Sequence, residues 1–215
     1  MQDLSLELLL VEAQVFASAV SELKETALFG ITDGKAVGTY LESRFIAHLA
    51  RKYRFLQGNA AKGIDVPSLN VDIKTTSIVQ PQSSCPFRSA RQKIFGLGYA
   101  LLVFVYEKPD HPKQRTANLN ILHTVFVDQH RTADFTMTRI LRDALQAGAN
   151  AEDLIALMMD RNLPLDEIEA SNIARELLLE PPEQGYLTIS NALQWRLQYA
   201  RVIQEAGNVA GVERL

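Results

Sequence analysis

Apolar residues recur at helical spacing over residues 3–28, where Leu6, Leu9, Leu10, Ala13, Val15, Phe16, Ala19, Val20 and Leu23 share one broad face. That periodicity predicts a helix. Gly30 and Gly34 punctuate it, and a second helix follows over about 37–53 with the stripe Leu41, Phe45, Ile46 and Leu49. Its last turn is basic (Arg51, Lys52, Arg54), which suits the negative end of the helix dipole. A turn over 58–63 leads into short β-type runs at 64–66 and 70–76, then a polar loop over 80–87 and a short helix over 88–95. The apolar runs at 101–106 and 119–127 have the length of buried strands. From residue 133 the pattern turns helical again, over about 133–147, 151–161, 166–179 and 188–206, with breaks at Gly148, Pro164, Pro181 and Pro182. The order predicts an α/β core followed by a helical C-terminal region, divided as residues 1–132 and 133–215.

Charge changes this picture more than composition does. The net charge of -3 argues at first against a nucleic-acid partner. Its distribution points the other way: residues 44–142 hold 15 Lys/Arg against 6 Asp/Glu, whereas residues 143–183 hold 2 against 10. Phosphate attraction needs a local basic patch rather than a basic whole. No apolar run approaches the ~20 residues of a membrane span, so no membrane association is expected. The first residues lack the basic start of a signal peptide, and a single cysteine, Cys85, excludes an internal disulfide. A reducing cytoplasm is the expected compartment.

The candidate chemistry lies in residues 63–74. Asp65 and Asp72 are seven positions apart and Lys74 stands two beyond Asp72. In a strand, residues i and i+2 share a face, so Asp72 and Lys74 project together while Val71, Ile73 and Thr75 face the other way. Pro67, Ser68, Leu69 and Asn70 are turn-forming and would fold Asp65 back toward Asp72. Two close carboxylates repel unless a cation or shared proton compensates. Mg²⁺, which takes oxygen ligands and leaves room for phosphate and water, is the expected cation. It would polarise a phosphate and help deprotonate a water, with Lys74 holding that nucleophile or offsetting developing charge. Glu42 sits on the apolar stripe of its helix, and an inward-facing carboxylate usually has a partner.

The set Asp65, Asp72, Ile73 and Lys74, preceded by a helical glutamate and followed by a helix and an apolar strand, resembles the PD-(D/E)XK nucleases. That group includes type II restriction endonucleases and the mismatch-repair nickase. The resemblance covers about residues 37–127. It implies a mixed central sheet flanked by helices and Mg²⁺-dependent phosphodiester hydrolysis. Asp65 and Asp72 are then the metal ligands, Lys74 the catalytic lysine, and Glu42 a further ligand. Two departures stand out: Ile64, not proline, precedes Asp65, and Gln92 is followed four later by Gly96 where the exonuclease branch has tyrosine.

Specificity is expected from residues 80–93. Gln82, Ser83, Arg88, Arg91, Gln92 and Lys93 combine amide, hydroxyl and cationic groups of the kind that read base edges and grip phosphates. The four histidines show no metal-ligand spacing, and there is neither a Walker A loop nor a nucleophile elbow. The acidic stretch 143–183 speaks against a DNA-docking helix-turn-helix there, and suits packing or a subunit contact instead. The reading is a Mg²⁺-dependent DNA endonuclease of restriction type. Its substrate is double-stranded DNA, cut as a homodimer, with a cognate DNA methyltransferase as functional partner. The alternatives are a mismatch- or structure-directed nicking nuclease and an idle DNA-binding protein of the same fold.

Overall fold

A computed structural model of the chain describes residues 1–58, 63–87, 89–189 and 196–215. In chain order it begins with β1 (Gln2–Asp3), α1 (Leu6–Ser21), β2 (Lys24–Glu25), α2 (Gly34–Ala50) and β3 (Tyr53–Arg54). A 3₁₀ turn (Pro67–Leu69), β4 (Val71–Ser77), β5 (Gln82–Pro86), α3 (Ala90–Phe95) and β6 (Ala100–Glu107) follow. Next come β7 (Asp110–His111), β8 (Thr116–Asn118), β9 (Asn120–Val127), α4 (Phe135–Gln146), α5 (Ala151–Asp160) and α6 (Glu167–Leu179). The chain closes with β10 (Thr188–Ile189), β11 (Arg196–Gln198), α7 (Ala200–Glu205) and β12 (Val212–Arg214).

The central sheet is mixed, in the order β12-β9-β6-β4. β4 runs parallel to β6, and β9 is antiparallel to both β6 and β12. β6 is apolar along almost its whole length because both its faces are covered, the usual signature of a doubly buried strand. Leu102 and Phe104 point into a core shared with α1 and α2, where the rings of Phe16, Phe45 and Phe104 meet at centroid distances of 5.0 to 6.0 Å. Leu101, Val103 and Val105 point into a second core, with Leu187, Leu197, Tyr199 and Val202 from the C-terminal segment. A third core gathers α3, α4, α5 and α6 around Ile94, Leu141, Met158 and Ile173. The fold is thus α/β, as the pattern predicts, with the mixed sheet between layers that the resemblance implies.

Three expectations change. The polar loop over 80–87 contains a strand, β5, which pairs with β11. The helix expected over about 188–206 is, among the described residues, β10, β11 and the short α7. In β11 the buried Leu197 alternates with half-buried neighbours, and cross-strand pairing with β5 and β10 overrides the helical spacing. The C-terminal region is therefore not wholly helical, and β12 adds an antiparallel strand to the central sheet. The β-type run at 64–66 is reduced to a single bridge, Val66 to Val71. Arg88, and most of the turn expected over 58–63, lie outside the described residues. No helix among the described residues is long and apolar enough to cross a membrane.

Candidate active site

The turn between Asp65 and β4 folds as its sequence dictates. Pro67 opens one 3₁₀ turn, Asn70 takes the left-handed conformation (φ 55°) that asparagine tolerates, and Val66 and Val71 exchange backbone hydrogen bonds at 3.0 and 3.3 Å. The result is the hairpin that residues 65–72 predict. It brings Asp65 alongside β4, where its Oδ2 accepts the Ile73 amide at 2.9 Å. β4 is the end strand of the central sheet, so this carboxylate occupies a backbone donor on the strand's open edge.

Register decides which side chains face which layer. Asp72 lies opposite Leu101 and Lys74 opposite Val103, on the face of the second core. Val71 and Ile73 point the other way, into the core with α1 and α2. Asp72 is buried, and the Lys74 ammonium sits 2.5 Å from its Oδ2 while donating to the Ile73 carbonyl at 3.1 Å. Glu42 comes from α2, which crosses β4 closely at Gly38. A Cβ there would stand 3.7 Å from the Thr75 Cβ and 3.8 Å from the Glu42 carboxylate, ordinary van der Waals contact.

The four groups feel one another electrostatically. Burial pushes the Asp72 carboxyl up to about 7, with Lys74 pulling down and the hydrogen-bonded Asp65 carboxyl pushing up. Burial likewise raises Glu42 to about 7, against the pull of Lys74 and with the repulsion of Asp65 and Asp72. Asp72 and Glu42 therefore draw on one ammonium, both also feel the Asp65 carboxylate, and both are reluctant to ionise. That is a donor set short of positive charge, which a hard divalent cation would supply. Among the described residues no three His, Cys, Asp or Glu side chains stand together in an arrangement that could hold a metal ion. The fit therefore rests on the chemistry of the donors.

The residues expected to contact DNA are placed less uniformly. Gln82 and Ser83 lie in β5, held beside β4 by the Thr76 hydroxyl, which accepts the Gln82 amide at 2.9 Å. Arg91, Gln92 and Lys93 lie in α3. The Nη2 of Arg91 donates to both carboxylate oxygens of Glu176 of α6, at 2.7 and 2.9 Å, and the guanidinium lies over the Phe95 ring. The acidic α6 thus packs against the basic α3, which accounts for part of the charge asymmetry along the chain.

Sequence reasoning missed a second polar cluster. Glu12 of α1 is buried and accepts from His48 (2.6 Å), Lys52 (2.7 Å) and Tyr53 (2.8 Å). Burial alone would raise its carboxyl, but these donors win and hold it down at about 2. The only local signal is a glutamate at a buried helical position, and its partners lie 36 to 41 residues away.

The family model described as type II restriction enzyme NspV matches residues 3–214. This chain belongs to the NspV family of type II restriction enzymes. A curated relative, the type II restriction enzyme NspV of Nostoc sp. (strain ATCC 29411 / PCC 7524), is 62% identical over 209 residues. The alignment covers 97% of this chain and 95% of the relative. The NspV match therefore takes in the C-terminal strands as well as the motif. No solved structure matches the chain.

Proposed function

We propose that the chain is a sequence-specific endodeoxyribonuclease of restriction type, built on a PD-(D/E)XK core and hydrolysing phosphodiester bonds in double-stranded DNA. Membership of the NspV family supports the reaction class. The placing of the site rests on one observation: Asp72, Asp65 and Glu42 converge electrostatically on Lys74 at the open edge of the sheet.

Asp65, Asp72 and Glu42 would hold Mg²⁺, which supplies a Lewis acid for the phosphate and an acidified water. The chain's own residues do the rest. Asp72 fixes the Lys74 ammonium at 2.5 Å, so that the ammonium can orient the attacking water or offset charge on the phosphate. Asp65, tied to the Ile73 amide, cannot swing away from the strand. Gln82, Ser83, Arg88, Arg91, Gln92 and Lys93 are the proposed DNA contacts, with Arg91 exchanging Glu176 for a phosphate. Residues 1–132 form the catalytic unit, and 133–215 cover it and add β12 to its central sheet. Cutting both strands calls for two sites, so the enzyme works as a homodimer in the cytoplasm, beside a methyltransferase that protects the host sequence.

Purified protein incubated with Mg²⁺ and plasmid should give discrete fragments, and EDTA should abolish them. Asp72→Ala and Lys74→Ala should not cut while circular dichroism shows a native fold. Full cutting by either variant would remove the site assignment, and a ladder without discrete bands would remove sequence specificity.

A further inference from the structure

Away from the carboxylates, two arginines gather on one aromatic ring. Phe135 opens α4, and Arg139 lies one turn along the same helix with its guanidinium carbon 5.6 Å from the ring centroid. Arg201, from α7, lies against the same ring at 3.7 Å. Its Nε is buried without a hydrogen-bond partner. Among the described residues neither guanidinium meets a carboxylate within ion-pair distance, unlike Arg44, Arg54, Arg91 and Arg131. Asp134, just before α4, is buried and its carboxylate caps the helix through the Met137 amide, and the acids four residues along from each arginine, Asp143 and Glu205, form no ion pair with them.

Two cations on one ring lack a countercharge there, and a buried guanidinium donor with no acceptor is costly. The ring offsets part of that cost. It does not supply the acceptor oxygens that a guanidinium fork is shaped for. A phosphate oxygen would. The position also connects to the cutting strand: Arg201 follows β11, β11 pairs with β5 (Gln82 to Gln198), and β5 is tied to Thr76 of β4. We propose that Arg139 and Arg201, ordered on the Phe135 ring, bind a backbone phosphate of the DNA duplex outside the cleavage site. This inference rests on the nuclease reading above.

The test is fluorescence anisotropy with a labelled duplex spanning a mapped cleavage site, in Ca²⁺ to hold binding apart from cutting, across a salt series. The double variant Arg139→Ala/Arg201→Ala should bind roughly tenfold more weakly, and its slope of log affinity against log salt should flatten by about 1. An unrelated duplex should lose affinity by the same factor, because a phosphate carries no sequence information. Arg201→Lys, which keeps the charge, should restore the slope. Arg139→Ala alone, on an exposed side chain, tests the idea where the double variant fails to fold. An unchanged slope in Arg139→Ala, or weaker binding with the wild-type slope, would overturn the phosphate site. If the wild-type chain bound no duplex in a salt-dependent way, the nuclease reading itself would fall.

Discussion

Two clusters of inward-facing carboxylates are treated oppositely by the molecule. Glu12 is surrounded by three donors and stays ionised, its carboxyl held at about 2. Asp72 and Glu42 share one ammonium with Asp65 and are pushed to about 7. The same chemical group is settled in one place and unsettled in the other. Burial raises all three, so burial does not separate them; the count of donors per carboxylate does. A carboxylate whose needs are met within the chain holds helices together. One whose needs are unmet is set to accept a ligand from outside.

The largest expected effect breaks the comparison on activity. Asp72→Asn or Lys74→Ala should lower cleavage about a thousandfold or more, measured as plasmid cutting at saturating Mg²⁺. Glu12→Gln should leave cutting within a few-fold at a temperature where the variant is folded. It should cost about 2–3 kcal/mol of stability in urea melts, because His48, Lys52 and Tyr53 lose a charged acceptor. Loss of cutting by a folded Glu12→Gln chain would end the distinction between the two sites.

Next comes pH, with opposite signs. Glu42 and Asp72 titrate higher in the folded chain than in the unfolded one. The stability they contribute is present below the unfolded carboxyl range and is lost as pH rises through about 7. Glu12 titrates lower when folded, so its contribution is present above 4.5 and is lost as pH falls toward about 2. Metal-free urea melts across that span should therefore show stability declining toward neutral pH. Glu42→Gln should reduce the decline by about 1–2 kcal/mol. A decline of the same size in Glu42→Gln would mean that Glu42 does not titrate there. Because a cation binds the ionised carboxylates, thermal stabilisation by Mg²⁺ should grow from about pH 5.5 to about pH 8 and vanish in Asp72→Asn.

The smallest effect sharpens the contrast at the surface. Arg91→Ala should change stability by less than about 1 kcal/mol, since its pair with Glu176 is solvent-exposed on both sides. A larger loss would make that pair a structural tie rather than a cation available to DNA.

Much of this is legible in the sequence. β6 reads as a strand because both its faces are buried, and α1, α2, α4, α5 and α6 read from their periodicity. The Asp65-to-Asp72 hairpin reads from Pro67 and Asn70, and Glu42 from its place on an apolar stripe. What stays illegible is what depends on distant partners. Leu197 fits a helical stripe with Ala200 and Ile203 as well as it fits a strand, and only pairing with β5 and β10 decides. β12 is three residues long and carries no signal apart from its pairing with β9. The Glu12 cluster joins residues from two helices and β3, and no local pattern announces it.

The bond from the Ile73 amide to Asp65 has a consequence for assembly as well as for cutting. β4 ends the sheet, and an end strand with free amides invites another chain to pair with it. Asp65 fills that position with a charged side chain, so the residue that would bind metal also keeps the sheet from growing. Replacing it should therefore endanger solubility during expression as well as activity, and a chain lacking Asp65 should aggregate more readily than one lacking Lys74.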